Sequence, residues 1–258
     1  MSNMAPTSNP VTNSVMKEYM DNYSQNSNNR ITKQNASLTS LFLLLIVSLV
    51  AASSIYLGFQ NPSIISAIST IGCFGVIGMG MFTAFNKNAR QGSPIAAIVF
   101  SIFEGMMVGG ITFVTGNMTF SSGSGWELVG QAILASVCLF FVALVCYSQG
   151  IIKATPGFMK ALAVGCGAFA LLYIVNFAIT LITGTNLLYA NGPIPIIIAV
   201  VAIIFATLSI IGELKVLDDA VERGAEERFK WSIATGFMTS IVWMYIEVLR
   251  LLTLINRD

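Results

Sequence analysis

IPIIIAVVAIIFATLSIIGELKVL (Ile194–Leu217), DDAVERGAEERF (Asp218–Phe229) and KWSIATGFMTSIVWMYIEVLRLLTL (Lys230–Leu254) follow one another without a break: two apolar runs joined by a highly charged hinge. Each run is about as long as the ~20 apolar residues that, at ~1.5 Å rise, cross a ~30 Å hydrocarbon core. Each also carries an acid. Glu213 lies near the end of the first, and Glu247 lies inside the second, three residues before Arg250. An ionisable group placed in lipid costs roughly 2.5 to 3.5 kcal/mol on insertion scales, so these side chains demand an explanation.

The rest of the composition agrees with a membrane protein. Of 258 residues, 55% are hydrophobic and 10% charged, and the apolar residues come in long runs, beyond what a soluble domain usually shows. The net charge of +1 points to no nucleic-acid partner. Histidine is absent, which removes the commonest metal ligand, general base and pH switch together. Cys73, Cys138, Cys146 and Cys166 sit in apolar runs without a CxxC spacing and read as reduced small hydrophobes.

Working outward, residues 1–36 form a polar tail rich in Asn, Ser and Thr, too poor in large apolar groups to fold alone. It is expected to be disordered and cytoplasmic. It lacks the pattern of a removable signal peptide, so the first apolar segment is expected to serve as the insertion signal. Seven segments follow, expected near Leu38–Phe59, Ile64–Phe85, Pro94–Thr115, Trp126–Tyr147, Gly157–Thr183, Ile194–Leu217 and Trp231–Leu254. Turn residues separate them: Asn61-Pro62, Gly92-Ser93-Pro94, Ser121 to Gly125, Thr155-Pro156-Gly157 and Asn191-Gly192-Pro193. The fold class is therefore an all-α membrane protein, a transmembrane domain over residues 37–258.

Basic residues set the orientation. Arg30 and Lys33 precede the first segment, Lys87 and Arg90 fill the second loop, Lys153 and Lys160 flank the fourth, and Arg223, Arg228 and Lys230 lie in the sixth. The first, third and fifth loops hold no Lys or Arg. By the positive-inside rule the N-terminus faces the cytoplasm. Seven spans then put the C-terminus and Arg257 outside, unless the last segment re-enters. Gly72, Gly75, Gly78 and Gly80 in segment two, and Gly105, Gly109 and Gly110 in segment three, are expected to let helices approach closely. Packing within one bundle, and hence a monomer, is the expected outcome.

The intramembrane charges are the candidates for chemistry. Glu104 sits mid-segment in IFEGMMVGG, far from any short snorkelling route; it must be protonated, paired or facing a wet cavity. Glu247 and Arg250 share a helix face, an ion pair in the plainest reading, although Arg250 could instead meet Glu104. No G-x-S-x-G elbow is present, and a Ser-Lys pair would need Lys160 to lie deep. Neither an enzyme activity nor a bound cofactor is expected.

WMYIEVLRLL (Trp243–Leu252), DAVERG (Asp219–Gly224) and FEGMMVGG (Phe103–Gly110), in a chain of seven apolar segments behind a polar tail, resemble the Bax inhibitor family of membrane proteins (transmembrane Bax inhibitor motif), in particular its bacterial branch. The resemblance covers nearly the whole hydrophobic region. It implies a seven-helix bundle with six helices around the C-terminal one, in a bacterial inner membrane. It also implies a calcium leak gated by pH through paired acids on segments six and seven, with an arginine that latches the closed state. Relatives are stress regulators that contact membrane proteases.

Carried over residue by residue, Glu247 matches the acid on the last helix. The bacterial branch reads Asp-Phe-Asp on segment six, whereas here Leu217-Asp218-Asp219 stands there, so Leu217 replaces the first acid. Asp219 keeps the motif match, Asp218 is adjacent, and Glu213 lies one turn back on nearly the same face. Two close carboxylates would share a proton and titrate as a unit. Protonated, they bridge; ionised, they repel and offer oxygen ligands to a hard cation such as Ca²⁺, with Glu247 and Glu213 the expected ligands. Depth is the difficulty. With those boundaries Glu213 lies about 6 Å, and Glu247 about 24 Å, from the inner end, unless helix six continues past Leu217 or the last segment re-enters. A proton-coupled small-solute transporter using Glu104 and Glu247, and a non-transporting regulator that binds other membrane proteins, are the competing functions.

Overall fold

Among the described residues, seven helices are long and apolar enough to cross a membrane: α1 (Lys33–Gln60), α2 (Pro62–Phe85), α3 (Pro94–Gly116), α4 (Gly125–Ser148), α5 (Pro156–Thr183), α6 (Pro193–Glu222) and α7 (Lys230–Ile255). The computed structural model describes residues 30–86, 92–120 and 123–257. Most of the polar tail and the two basic residues of the second loop, Lys87 and Arg90, lie outside them. A two-residue antiparallel hairpin, Thr119–Phe120 with Gly123–Ser124, precedes α4, and short 3-10 turns at Leu187–Tyr189 and Glu227–Phe229 precede α6 and α7.

The helices start where the turn residues end. Asn61 caps α2 by accepting from the Ser63 N–H at 3.1 Å, and Thr155 caps α5 by accepting from Phe158 at 3.3 Å. Pro62 and Pro156 occupy the first turn, where no N–H is needed. Two boundaries differ from the sequence expectation by more than two residues. Helix α1 starts five residues early because Thr32 caps it, its hydroxyl accepting from Asn35 at 3.1 Å. Helix α6 runs five residues past Leu217, to Glu222, because Lys215 and Asp219 pair one turn apart at 2.6 Å. It stops at Gly224, whose φ of 64° suits glycine, and Ala225 N–H closes back on the Ala220 carbonyl at 3.0 Å.

Helix α7 is unbroken, 26 residues long and so about 39 Å; it is long and apolar enough to span a membrane. Its buried residues face many directions. Phe237, Met238, Val242, Met244, Leu249 and Leu254 are all buried, although at 100° per residue they point in different directions. A helix with buried residues in so many directions is packed over most of its circumference.

The described chain divides into two units, residues 30–114 with 213–239 and residues 115–212 with 240–257. In the first, small residues bring α1, α2 and α3 together. A Cβ at Gly105 would lie 2.8 Å from the Val47 carbonyl oxygen, and one at Gly109 would lie 2.7 Å from that of Ala51. Gly72 and Gly110 meet Phe103 and Ser69 in the same way. Gly78 and Gly80, expected to behave alike, would have no atom within 4 Å of an added Cβ, so neither makes a close helix contact among the described residues. The hinge is more ordered than a solvated loop. Ile31 donates its N–H to the Ala225 carbonyl at 2.9 Å, and Ile31 and Phe229 are both buried.

In the second unit, Phe169 gathers Tyr173, Phe205 and Trp243, with ring centroids 6.0, 5.6 and 5.7 Å away. Gly165 leaves the room that Phe205 fills. Buried Asn176 ties the loop after α5 to that helix: its amide donates to Asn186 at 3.1 Å, and its carbonyl oxygen accepts from the Leu187 N–H at 3.0 Å.

Candidate functional site

Glu247 and Arg250 are each only 2% exposed, one helical turn apart on α7. They form an ion pair through one guanidinium nitrogen and one carboxylate oxygen. The other oxygen of Glu247 accepts from the Tyr173 hydroxyl at 2.9 Å, and that hydroxyl in turn accepts from the Trp243 indole N–H at 3.2 Å. Arg250 also lies over the Tyr173 ring, 5.9 Å from its centroid, close enough for a cation–π contribution. The result is a chain, Trp243 to Tyr173 to Glu247 to Arg250, in which both carboxylate oxygens are used. Two nitrogens of Arg250, Nε and Nη1, are buried without a hydrogen-bond partner.

The loop after α5 closes over this cluster. Arg257 donates to the Tyr189 carbonyl. Tyr189 lies near the pair, and burial pushes its hydroxyl up to about 12, with Arg250 opposing the shift and Glu247 reinforcing it. Of the two partners open to Arg250 in the sequence, the structure shows Glu247.

Glu104 and Glu213 belong to the other unit, and each is 2% exposed. Glu104 is hydrogen-bonded to Thr239, and one turn back on α3 the Ser101 hydroxyl meets the Met238 sulfur at 3.0 Å. The carboxyl of Glu213 lies over Gly236, where an added Cβ would come within 2.7 Å of both its oxygens. One oxygen of each acid, Oε2, is buried with no hydrogen-bond partner. Leu217, one turn on from Glu213, is buried as well.

The motif acid Asp219 and the adjacent Asp218 are engaged by lysines. Asp219 pairs with Lys215 at 2.6 Å, and Asp218 with Lys33 at 2.6 Å. Lys230 pairs with Glu227 at 2.6 Å, while Glu226 meets Arg228 at 2.9 Å. Among the described residues no three His, Cys, Asp or Glu side chains gather as a metal-ligand set. Sequence reasoning missed Tyr173, Trp243, Thr239 and Gly236. For the three on α7 the signal was spacing: Gly236, Thr239, Trp243, Glu247 and Arg250 recur at three- and four-residue steps, a single stripe along that helix.

A sequence model of the Bax inhibitor 1-like family matches residues 9–257, nearly the entire chain. The chain belongs to this family. No curated protein matches it. For a Bax inhibitor 1-like membrane protein the WMYIEVLRLL segment takes on physical meaning, since its Trp243, Glu247 and Arg250 are three of the four residues in the buried chain of hydrogen bonds. In FEGMMVGG, Glu104 is a buried acid and Gly105 and Gly109 form the contact with α1. DAVERG turns out to be a helix end, with Gly224 as its terminator.

Proposed function

We propose that this protein is a pH-sensitive calcium leak channel of the Bax inhibitor type, in which the Glu247–Arg250 pair is the latch. The observation that carries this reading is a fully buried carboxylate on an enclosed helix whose two oxygens are both occupied, by Arg250 and Tyr173. A Ca²⁺ ion in transit needs carboxylate and other oxygen ligands, and Glu247 can supply them only by giving up those partners. Protonation of Glu247 removes the anion altogether, so flux falls with acidity; ionised Glu247 divides its time between Arg250 and the passing ion. Glu213, Asp218 and Asp219 are the further acids of this gate, the last two held by lysines until it opens. Calcium is cargo in this scheme, touched in passing, and no resident metal is required.

Reconstitution in sealed liposomes tests the reading. Calcium flux should rise with pH in the wild type and lose that dependence in Glu247→Gln; an unchanged pH profile in this variant would sink the proposal. A proton-coupled solute transporter is the second reading, favoured by the unpartnered oxygens of Glu104 and Glu213, and a panel of solutes in the same liposomes separates the two. A non-transporting stress regulator that contacts membrane proteases would reveal itself by crosslinks in the native membrane and by no flux. The distribution of Lys and Arg supports a cytoplasmic N-terminus, and the choice of a bacterial inner membrane rests on the resemblance to the family's bacterial branch.

A further inference from the structure

Ala225, in the hinge between α6 and α7, is held through both of its backbone groups. Its N–H closes the end of α6 on the Ala220 carbonyl at 3.0 Å, and its carbonyl accepts the Ile31 N–H at 2.9 Å from the stretch that leads into α1. Arg30 and Glu226 face one another as an antiparallel bridge beside that bond, and Lys33 reaches Asp218 at 2.6 Å. Thr32 caps α1 with its hydroxyl, so the contact with the hinge and the cap of the first helix are adjacent residues. All of these residues lie within one of the two units.

Burial shows which of these contacts matters most. The Lys33 side chain is 66% exposed, and an exposed ion pair adds little. A lone antiparallel bridge is likewise marginal by itself. Ile31 is different: it is the single large apolar side chain in NNRITKQN (28–35), and it is only 2% exposed. Pulling it out would bare an apolar side chain to water and unmake the bond to Ala225 in one step. The α7 end of the hinge is fixed by other means. The Phe229 N–H bonds the Glu226 carbonyl at 3.0 Å, the Phe229 side chain is fully buried, and Gly92, ahead of α3, lies so close to the Arg228 carbonyl that no Cβ would fit.

We infer that residues 30–33 are a strap that locks the α6–α7 hinge, with Ile31 as its catch. While the strap is seated, Lys33 holds Asp218 and the end of α6 stays wound. Once Ile31 leaves its place, the Ala225 carbonyl loses its donor, the hinge loosens and Asp218 parts from Lys33. The strap is the direct continuation of the polar residues that precede it, so a displacement of those residues is carried straight to the hinge. Its effect on conduction rests on the calcium-leak reading, through Asp218; the lock itself does not.

Hydrogen–deuterium exchange of the full-length protein in lipid nanodiscs, read by mass spectrometry, tests the lock. The amides of Arg223, Gly224, Ala225 and Phe229 are all bonded, and exchange reports how often such bonds open locally. In Ile31→Asp the hinge amides should exchange about tenfold faster or more, the weight of one buried aliphatic side chain, while peptides from α5 keep the wild-type rate. Ile31→Ala should fall in between, and Ile31→Val should keep most of the protection. Lys33→Gln, which removes only an exposed pair, should change the rate by about fivefold or less. Hinge exchange at the wild-type rate in both Ile31→Asp and Ile31→Ala would overturn the inference. So would equal acceleration in α5, since the substitution would then have loosened the whole protein. Calcium flux in liposomes separates the lock from the gate. Faster hinge exchange with no flux in any variant keeps the lock and removes the channel reading; wild-type flux with unchanged hinge exchange removes the lock alone.

Discussion

Arg250 donates to one oxygen of Glu247 while its guanidinium rests over the ring of Tyr173, whose hydroxyl, 2.9 Å away, donates to the other oxygen of the same carboxylate. One side chain of α5 thus contacts both members of a buried ion pair on α7. The pair is nearly inaccessible to solvent, so screening by water does little to soften its loss. Removing one partner of a buried pair strands the other charge, at a cost of about 3 to 5 kcal/mol. Arg250→Met should therefore destabilise the protein by that order, and Arg250→Met with Glu247→Leu should recover most of it. Unfolding in mixed micelles, followed as a double-mutant cycle, reads both numbers.

Tyr173 is the link between α5 and the pair. Tyr173→Phe keeps the ring beneath Arg250 and takes the hydroxyl away from the Trp243 N–H and from one Glu247 oxygen. Leaving buried polar groups unsatisfied costs about 1 to 3 kcal/mol. Adding Trp243→Phe removes the stranded donor, so the double substitution should cost less than the sum of the singles. Thermal unfolding of the three variants in one detergent measures the difference.

Tyr189 supplies a pH prediction outside the spans. An ordinary tyrosine loses its proton near pH ~10, while burial holds the Tyr189 hydroxyl up to about 12. Between those values the unfolded chain has already released a proton that the folded chain keeps. Stability is therefore whole below about pH 10 and declines as pH climbs toward 12. Tyr189→Phe should abolish that part of the decline, and the wild-type minus variant absorbance of tyrosinate should titrate near the upper value.

Much of this was legible in the sequence because the governing signals are local. Runs of apolar residues broken by Asn61-Pro62 or Thr155-Pro156 set the helices to within a few residues. The ends that moved were those set by polar caps and ion pairs: Thr32 before α1, and Lys215 with Asp219 beyond Leu217. Spacing alone also allowed the Glu247–Arg250 pair. The involvement of Tyr173 was hidden, because 74 residues separate it from Glu247 and only packing of α5 brings them together. Gly78 and Gly80 look like Gly105 and Gly109 in sequence, yet only the latter meet another helix closely, a distinction that rests on what packs against each position.

That distinction is testable. Gly109→Val places a branched side chain where even a Cβ would lie 2.7 Å from a backbone oxygen of α1, and overpacking a close contact costs about 1 to 3 kcal/mol or more. Gly78→Ala meets nothing within 4 Å and removes a poor helix former, so it should be neutral or stabilising by up to about 1 kcal/mol. Melting temperatures of the two variants should move in opposite directions or differ sharply, and equal losses would show that the second glycine also packs.

Gly236 is the position where helix contact and buried acid coincide. A methyl group there would come within 2.7 Å of the Glu213 carboxyl, whose own side chain has little space to retreat among buried neighbours such as Leu217 and Ala220. Gly236→Ala alone should therefore destabilise by about 1 to 3 kcal/mol, although alanine is the better helix former. Combined with Glu213→Ala the clash disappears and with it the buried carboxyl, so the double variant should be more stable than Gly236→Ala alone. Unfolding of the four chains of this cycle decides it: additive losses would mean that Glu213 and Gly236 are not in contact in the folded protein.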